Sequence, residues 1–595
     1  MSTTPATPCS TDLVHAARAT LDAHLLADGP VATDAALAGH RGWMRAVKAA
    51  VVVGLAGHAG AADEAAASRW LARLEDLQLP GGLFAAGDNL ASPPDSAFTI
   101  TDVAATAAAM RRPPAGASAW VVGTGLSSRL EEILRRAAPA LVAGGVHTPN
   151  HRWELAGALV GASPLLDRSA AAAAVERARA WLGEGIDVDV DGLYSERSAN
   201  YAAHVSGPAL LLLAERLGRA ALSEAVHANL HTVLDLSTPS GTTETVHSRR
   251  QDQHDLEFPL GPFLTLFARF AQECDRCRHA AAWALRLPGV DAVDALLQCL
   301  AGGAIAAGLG LTAGLATTSD AELAAAVLGS GERTWDGACL WRRWSGADWT
   351  LVYAGSDVPS AGRVASGLAC NPTFLRLARG DVEVASVRLS RDFFGLGPFR
   401  PTSLRAEGDR VILTEELTAS YYQPLPVDSR RADGDYALEF EGRFASAMAF
   451  SRRPRDELRL ETQVVIDVGS DGVDIEVRTT GPATGHALEI AFADGVRIAG
   501  AAQVGRQTHR LAGGPAVVRD GRSDLTVAAL PSGDSSPAVY SPGEAYEFLG
   551  GTDAVGGQRL YVTWSSPGSH RVTLRARHES GPRRANGGPP GAGRD

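Results

Sequence analysis

Half of the sixteen histidines in this 595-residue chain lie between His147 and His279, in a window with three polar segments rich in groups that move protons or grip anions. These are HTPNHRWE (147–154), DGLYSERSANYAAH (191–204) and TVHSRRQDQH (245–254). In the first, Asn150, His151 and Arg152 follow Pro149 at a helix start. An amide, an imidazole and a guanidinium there could bind a carboxylate, helped by the positive end of the helix dipole, or could serve as an Asn cap beside an exposed Arg and a half-buried His. In the second, Tyr201 precedes an apolar helix. A tyrosine transfers protons near neutral pH only where cations lower its ordinary pKa, and Arg and His side chains nearby would supply that field. Packing of an amphipathic ring at a helix start accounts for the same residue. In the third, His247, Arg249, Arg250 and Gln251 form either an anion clamp or a solvated charged loop. Asn89, in the loop 88–96, lines a sugar subsite or simply completes a turn.

Metal chemistry finds less support. His147 and His151 have Pro149 between them and no indicated third ligand, so they do not share a helix face. Cys274-Asp275-Arg276-Cys277 is a C-x-x-C without a second pair, read as incidental. No metal and no cofactor are expected.

Composition narrows the field. Fifty-five basic against 67 acidic residues give a formal charge of −12, which argues against nucleic acid or a membrane surface as partner. Lys48 is the only lysine, so no phosphate-cradling G-x-x-x-x-G-K-[ST] loop exists, and Lys48 itself is expected on a solvated helix face. Six scattered cysteines point to reduced thiols rather than a disulfide framework. With no basic and apolar leader recognised and no run of 18 apolar residues, a cytoplasmic location is expected. The oligomeric state is not readable.

The elements that must position these groups fall into two kinds. Up to residue 330 the chain is Ala/Leu-rich with helical periodicity, as in Leu130–Arg136, Ala171–Leu182, Pro208–Leu217 and Leu222–Leu236. From 335 to 578 it changes to β-type runs such as Trp349–Tyr353, Val382–Leu389, Arg410–Leu417, Leu458–Val468, Val473–Val477, Leu560–Trp564 and Arg571–Leu574, which predict a large antiparallel β domain. Residues 579–595, with eight Gly or Pro, are expected to be a disordered tail. Three helix-following loops with similar polar and aromatic content predict a ring of helical hairpins with a cleft at one rim. The fold class is therefore α+β and multidomain.

At TPNHRWE (148–154), DGLYSERSANY (191–201), SRRQDQ (248–253) and the stretch from Cys370-Asn371-Pro372-Thr373-Phe374 to Phe394, the sequence resembles the heparinase II/III-like polysaccharide lyases. The resemblance implies an N-terminal (α/α) toroid followed by an antiparallel β-sandwich, and cleavage of uronic-acid-containing glycans by β-elimination. It also implies that Tyr201 protonates the leaving oxygen while Asn150 or His151 neutralises the uronate carboxylate. His247, or Tyr201 itself, would be the base. Arg152, Trp153, Tyr194, Glu196, His204, Arg249, Arg250, Gln251 and Asn89 would bind substrate, with Arg388 and Arg391 as further cations. Two departures are visible. The family often places a histidine and a zinc in the sandwich, whereas residues 280–485 here hold no histidine, and the usual Tyr-His pair reads Tyr201-Ala202-Ala203-His204.

The chemistry is coherent, because removing the proton on carbon 5 of a uronate requires its carboxylate to be neutralised so that charge can spread onto it. Short oligosaccharides cleaved from an end are the expected substrates. Two alternatives remain: a glycoside hydrolase on a similar toroid using carboxylates such as Glu154, Glu196 or Asp252, and a non-catalytic carbohydrate-binding homologue.

Overall fold

The computed structural model describes residues 11–28, 39–123, 125–355, 371–396, 398–441, 447–521, 523–531, 533–541, 556–565 and 567–578. The expected tail, 579–595, and Cys370 lie outside them. The chain divides into two compact units, Met1–Gly329 and Ser330–Asp595.

The first unit is helical. Its helices are α1 (Thr11–Ala27), α2 (Gly39–Leu55), α3 (Ala61–Leu77), α4 (Pro93–Met110), α5 (Ala119–Gly123), α6 (Leu126–Ala143), α7 (Pro149–Ala162) and α8 (Arg168–Leu182). There follow α9 (Ala199–Tyr201), α10 (Gly207–Leu217), α11 (Ala220–Asp235), α12 (Leu264–Phe270), α13 (Asp275–Ala284), α14 (Ala292–Ala301), α15 (Gly303–Thr312) and α16 (Asp320–Leu328). They sort into two kinds by sequence. In α8, Ala174, Ala178 and Leu182 make a single buried stripe at i, i+4, i+8, the mark of a helix with one face to solvent. In α2 and α7 buried residues occur all round, so these helices are enclosed by their neighbours. The enclosed helices succeed one another, α2 on α4, α4 on α7 and α7 on α10, while α3, α6, α8 and α11 back them. Near the end of the unit α14 packs against both α1 and α2.

Lys48 departs from its expectation. It is buried on α2, with Nζ 2.7 Å from Asp102 Oδ1 and also bonded to Asp294, so it joins three helices from inside. Its neighbours in sequence are apolar on every side, and helical periodicity cannot show which face a single lysine takes.

The second unit is built of two large sheets. One runs, by residue range, 403–407, 410–422, 455–468, 472–480, 568–578, 523–530, 516–520, 497–499. The other runs 502–503, 508–510, 558–565, 485–492, 382–391, 375–379, 348–353, 340–345, 330–335. Among the described residues, pairing in these sheets is antiparallel except where Thr508–Arg510 lies parallel to Gln558–Ser565. Val464, Ile466, Ile475 and Val477 of the first sheet share one core with Leu389, Leu488 and Ile490 of the second, as expected where alternate residues of each strand point inward. Arg388 and Arg391 belong to this architecture. Arg388 bonds Glu489 Oε1 at 2.6 and 2.9 Å, and Arg391 lies 2.5 Å from Glu415, with all four residues buried. Neither is open to a substrate carboxylate: Arg391 shares the inward face of its strand with Leu389, whereas Arg388 lies on the opposite face and is closed off by Glu489 and by the Tyr540 ring, 3.9 Å away.

Candidate active site

The three polar segments meet in the helical unit. Ser198 caps the single turn α9: its Oγ accepts from the Tyr201 N–H at 3.1 Å and donates to Asp252 Oδ2 at 2.9 Å. Asp252 also accepts from the Asn200 N–H at 3.2 Å and from Ser248 Oγ at 2.5 Å. Arg249 completes the seam, its backbone N–H donating to Glu196 O at 3.0 Å and Nη1 to Ser195 O at 2.8 Å. The segment 245–254 is thus stitched to 195–201, and Arg249 acts as a strut.

Arg250 occupies the centre. Nη2 donates to the Tyr201 hydroxyl at 3.1 Å, the guanidinium lies 4.7 Å from the centre of the Tyr201 ring, and Nη1 is 3.4 Å from Glu196 Oε1. Glu196 in turn accepts a hydrogen bond from the backbone of Asn150, which joins the third segment. Burial raises the Glu196 pKa, with Arg250 opposing. Asn150, at the start of α7, is 1% exposed; its Oδ1 accepts from Thr148 Oγ1 at 2.8 Å, while its Nδ2 has no partner. An amide donor buried without a partner costs about 1–3 kcal/mol, so it marks a place where a ligand oxygen would be welcome. Arg197, between Glu196 and Ser198, holds a left-handed φ of 52°, a conformation that non-glycine residues keep mainly where surroundings enforce it.

His151 faces the same charges. Burial lowers its pKa to about 4, reinforced by His147, Arg250 and Arg41 and opposed by Asp95. Its ring stands edge-on to His147 at 4.9 Å and to Phe98 at 5.9 Å, and Nδ1 has no partner. At neutral pH it is an uncharged imidazole, able to bond but not to neutralise charge, and that duty passes to arginine. Arg41 was not singled out from the sequence. It binds Asp95, stacks 4.0 Å over Phe98, and interacts electrostatically with Tyr201. Asn89 donates to Asp95 Oδ2 at 3.1 Å, which ties the loop 88–96 to this edge. Asp95 itself stands in the first turn of α4, where Ser92 Oγ accepts from its N–H.

Other candidates stand elsewhere. His247 is buried and lines a small cavity of about 20 Å³ with Tyr194, Asn229, Thr232 and Glu244, room for one water at most. Burial, with the Arg197 charge, lowers its pKa to about 3. Tyr194 is likewise buried, which raises its pKa. Trp153 is 1% exposed and donates Nε1–H to Asp187 at 3.2 Å; it is a core residue rather than a platform for a sugar ring. Arg152 lies 3.0 Å from Glu184 and 3.3 Å from Asp187. Asp187, which also accepts from Ser195 Oγ, is the hub joining α7 to the 191–201 segment. Gln251 is exposed at the start of a short 3₁₀ turn. His204 lies in a π-helical stretch, Ala202–Ser206, running into Pro208, which lacks an N–H; its ring is exposed and edge-on to Phe258. Desolvation by the surrounding atoms, with the Arg45 charge, lowers its pKa, opposed by Asp294. Glu154, held at about 7 by burial, accepts from Thr101 Oγ1 at 2.7 Å.

No protein-family model and no curated protein sequence matches this chain. Among solved structures it is similar to a chondroitin AC lyase from Streptomyces coelicolor A3, crystallised with chondroitin sulphate, at 12% identity and a TM-score of 0.52 over 98% of this chain and 81% of that one. It is also similar, more loosely, to a heparan sulfate lyase from Pedobacter heparinus, at 11% identity and a TM-score of 0.45 over 97% and 85%. The likeness to the chondroitin lyase is one of fold: a helical unit followed by a β unit, shared along nearly the whole chain.

Proposed function

We propose that the chain is a polysaccharide lyase that cleaves uronate-containing glycans by β-elimination, with its helical unit an (α/α) toroid. One observation carries this reading: the contact chain Asn150–Glu196–Arg250–Tyr201, which joins a phenol, a cation and, through its backbone, the residue that carries an unpartnered buried amide. The shared fold with a chondroitin lyase supports it. Arg250 donates to the Tyr201 oxygen, so the phenolic hydrogen points elsewhere and is available to a leaving glycosidic oxygen. A carboxylate placed over Asn150 Nδ2 and Arg250 would have the charge on it compensated while carbon 5 loses its proton. The step balances when Tyr201 begins as a phenolate against Arg250: its oxygen takes the carbon-5 proton, forming the hydroxyl, and passes that proton to the leaving glycosidic oxygen. His247, itself buried beside Tyr194 and Glu244, takes no part as base, and His151 contributes a hydrogen bond from a neutral ring.

The direct test is incubation with a panel of uronate glycans, watching near-ultraviolet absorbance for the new carbon–carbon double bond. Turnover by the wild type with a loss of about 10²–10⁴ in Tyr201→Phe is the expected result. No absorbance change on any of them, with Tyr201→Phe indistinguishable from wild type, overturns the reading. The raised Glu196 carboxyl favours a second one, hydrolysis with Glu196 as acid; its products would be saturated and Glu196→Gln would abolish turnover.

A further inference from the structure

The C-x-x-C at 274–277 is not isolated in the fold. Helix α11 carries His227 and His231 four residues apart, on one face, and delivers both rings to the start of α13, where Cys274 is the N-cap and Cys277 sits in the first turn. The two Nε2 atoms are 3.2 Å apart, Cys274 Sγ is 3.5 Å from His231 Nε2, and the four ligand atoms all lie within 4.8 Å of one another. Ideal tetrahedral zinc, with Zn–N near ~2.05 Å and Zn–S near ~2.3 Å, has edges of about 3.3 Å between nitrogens, about 3.5 Å between N and S, and about 3.8 Å between sulfurs. The observed N–N and N–S separations match the first two.

The surroundings are those of a buried structural site. Cys277 is fully enclosed, and the other three residues are half-buried. His227 stacks on Phe270 at 4.5 Å, which fixes one ring, and the two imidazoles stand at 80° to each other, so neither blocks the other's Nε2. Both cysteines are thiols rather than a disulfide. Two soft sulfurs and two imidazoles, with no carboxylate in the set, select zinc over magnesium or calcium.

We propose that His227, His231, Cys274 and Cys277 bind one zinc ion in a closed tetrahedral site that fastens α11 to the α12–α13 junction. On binding, the two thiols lose their protons to solvent and each sulfur donates a lone pair to the metal, as does Nε2 of each neutral histidine; no electron is transferred. All four positions are protein ligands, so the ion is structural. Its consequence reaches the candidate active site through α11, where Asn229 Nδ2 donates to Gly192 O at 2.8 Å and Thr232 Oγ1 to Asp191 O, holding the DGLY turn. Gly192 has φ of 81°, and a Cβ there would lie 2.7 Å from Ala228 O, so the turn fits only against a correctly placed α11. The proposal concerns metal and stability alone and stands whether or not the chain is a lyase.

The test uses the full chain, expressed without a histidine tag and purified from zinc-supplemented medium. Elemental analysis is expected to find one zinc per chain, lost in Cys274→Ser/Cys277→Ser and in His227→Gln/His231→Gln but kept in Cys339→Ser. Replacement by cobalt should give the visible bands of a tetrahedral ion with thiolate-to-cobalt charge transfer. Should the double variants fail to fold, wild type serves: chelation should lower the melting temperature, reversibly on adding zinc but not magnesium, and expose two further thiols to titration. Zinc well below stoichiometric with no cobalt–thiolate band overturns the proposal. A Cys274–Cys277 disulfide in the protein as isolated, with no metal uptake after reduction, overturns it equally.

Discussion

Arg388 and Arg250 are both arginines beside a glutamate, yet they do opposite things. Arg388, its side chain 2% exposed, gives two nitrogens to one oxygen of Glu489, whose other oxygen accepts from Tyr561 at 2.5 Å, a closed set inside the β unit. Arg250, 25% exposed, divides itself between Glu196 at the longer distance of 3.4 Å and a tyrosine hydroxyl, beside an amide with no partner. Removing one partner of a closed, buried pair strands the other charge, whereas a half-open arginine with a long ion pair keeps donors that a ligand could use. Charge and residue type are the same, and exposure with partner geometry makes the difference.

The sharpest way to break the comparison is to truncate each arginine. Arg250→Ala is expected to lower turnover on a uronate glycan by about 10²–10³, the cost of one preorganised donor, with only about 1 kcal/mol of stability lost. Arg388→Ala should do the reverse, costing about 3–5 kcal/mol in denaturant unfolding because Glu489 is left charged and buried, with turnover per folded molecule unchanged. If both variants lose the same stability, the distinction fails.

Acid titration comes next in size. Burial lowers the pKa of His40, His151 and His486 to about 4 and of His247 to about 3, from 6.5. Between those values the unfolded chain holds more protons than the fold, so stability is complete above about pH 6.5 and falls as pH drops toward 4. The slope is about 1.4 kcal/mol per pH unit for each such histidine. Melting curves from pH 7 to 4 measure it, and His247→Gln should flatten the slope by one histidine's share while leaving turnover at neutral pH nearly intact. The smallest effect belongs to exposed pairs: Asp467→Asn, opposite Arg410 at 2.7 Å, should leave the denaturation midpoint nearly unchanged, and still less altered at high salt.

Much of this was legible in the residues. The helical segments at 130–136, 171–182, 208–217 and 222–236 and the strands from 349 to 574 lie in elements of the expected kind, because 3.6- and 2-residue periodicities are local properties. The segments holding Asn150, Tyr201 and Arg250 stand out for the same reason. His247, Trp153 and Arg152 share those segments and were indistinguishable from their neighbours, since which side of a loop a side chain takes depends on what packs against it. Arg41 and Asp187 lay outside any pattern.

The sequence by itself determined the two kinds of unit, the change near residue 330 and the polar segments, all of which follow from composition and spacing along the chain. Only the tertiary structure decided that Lys48 is buried between Asp102 and Asp294, that Arg388 and Arg391 are closed, that His247 is buried beside Tyr194 and Glu244, and that two histidines on α11 reach a C-x-x-C more than forty residues away. Each depends on which faces of distant elements meet. Apolar burial drives that choice across the whole unit, and no local pattern carries it.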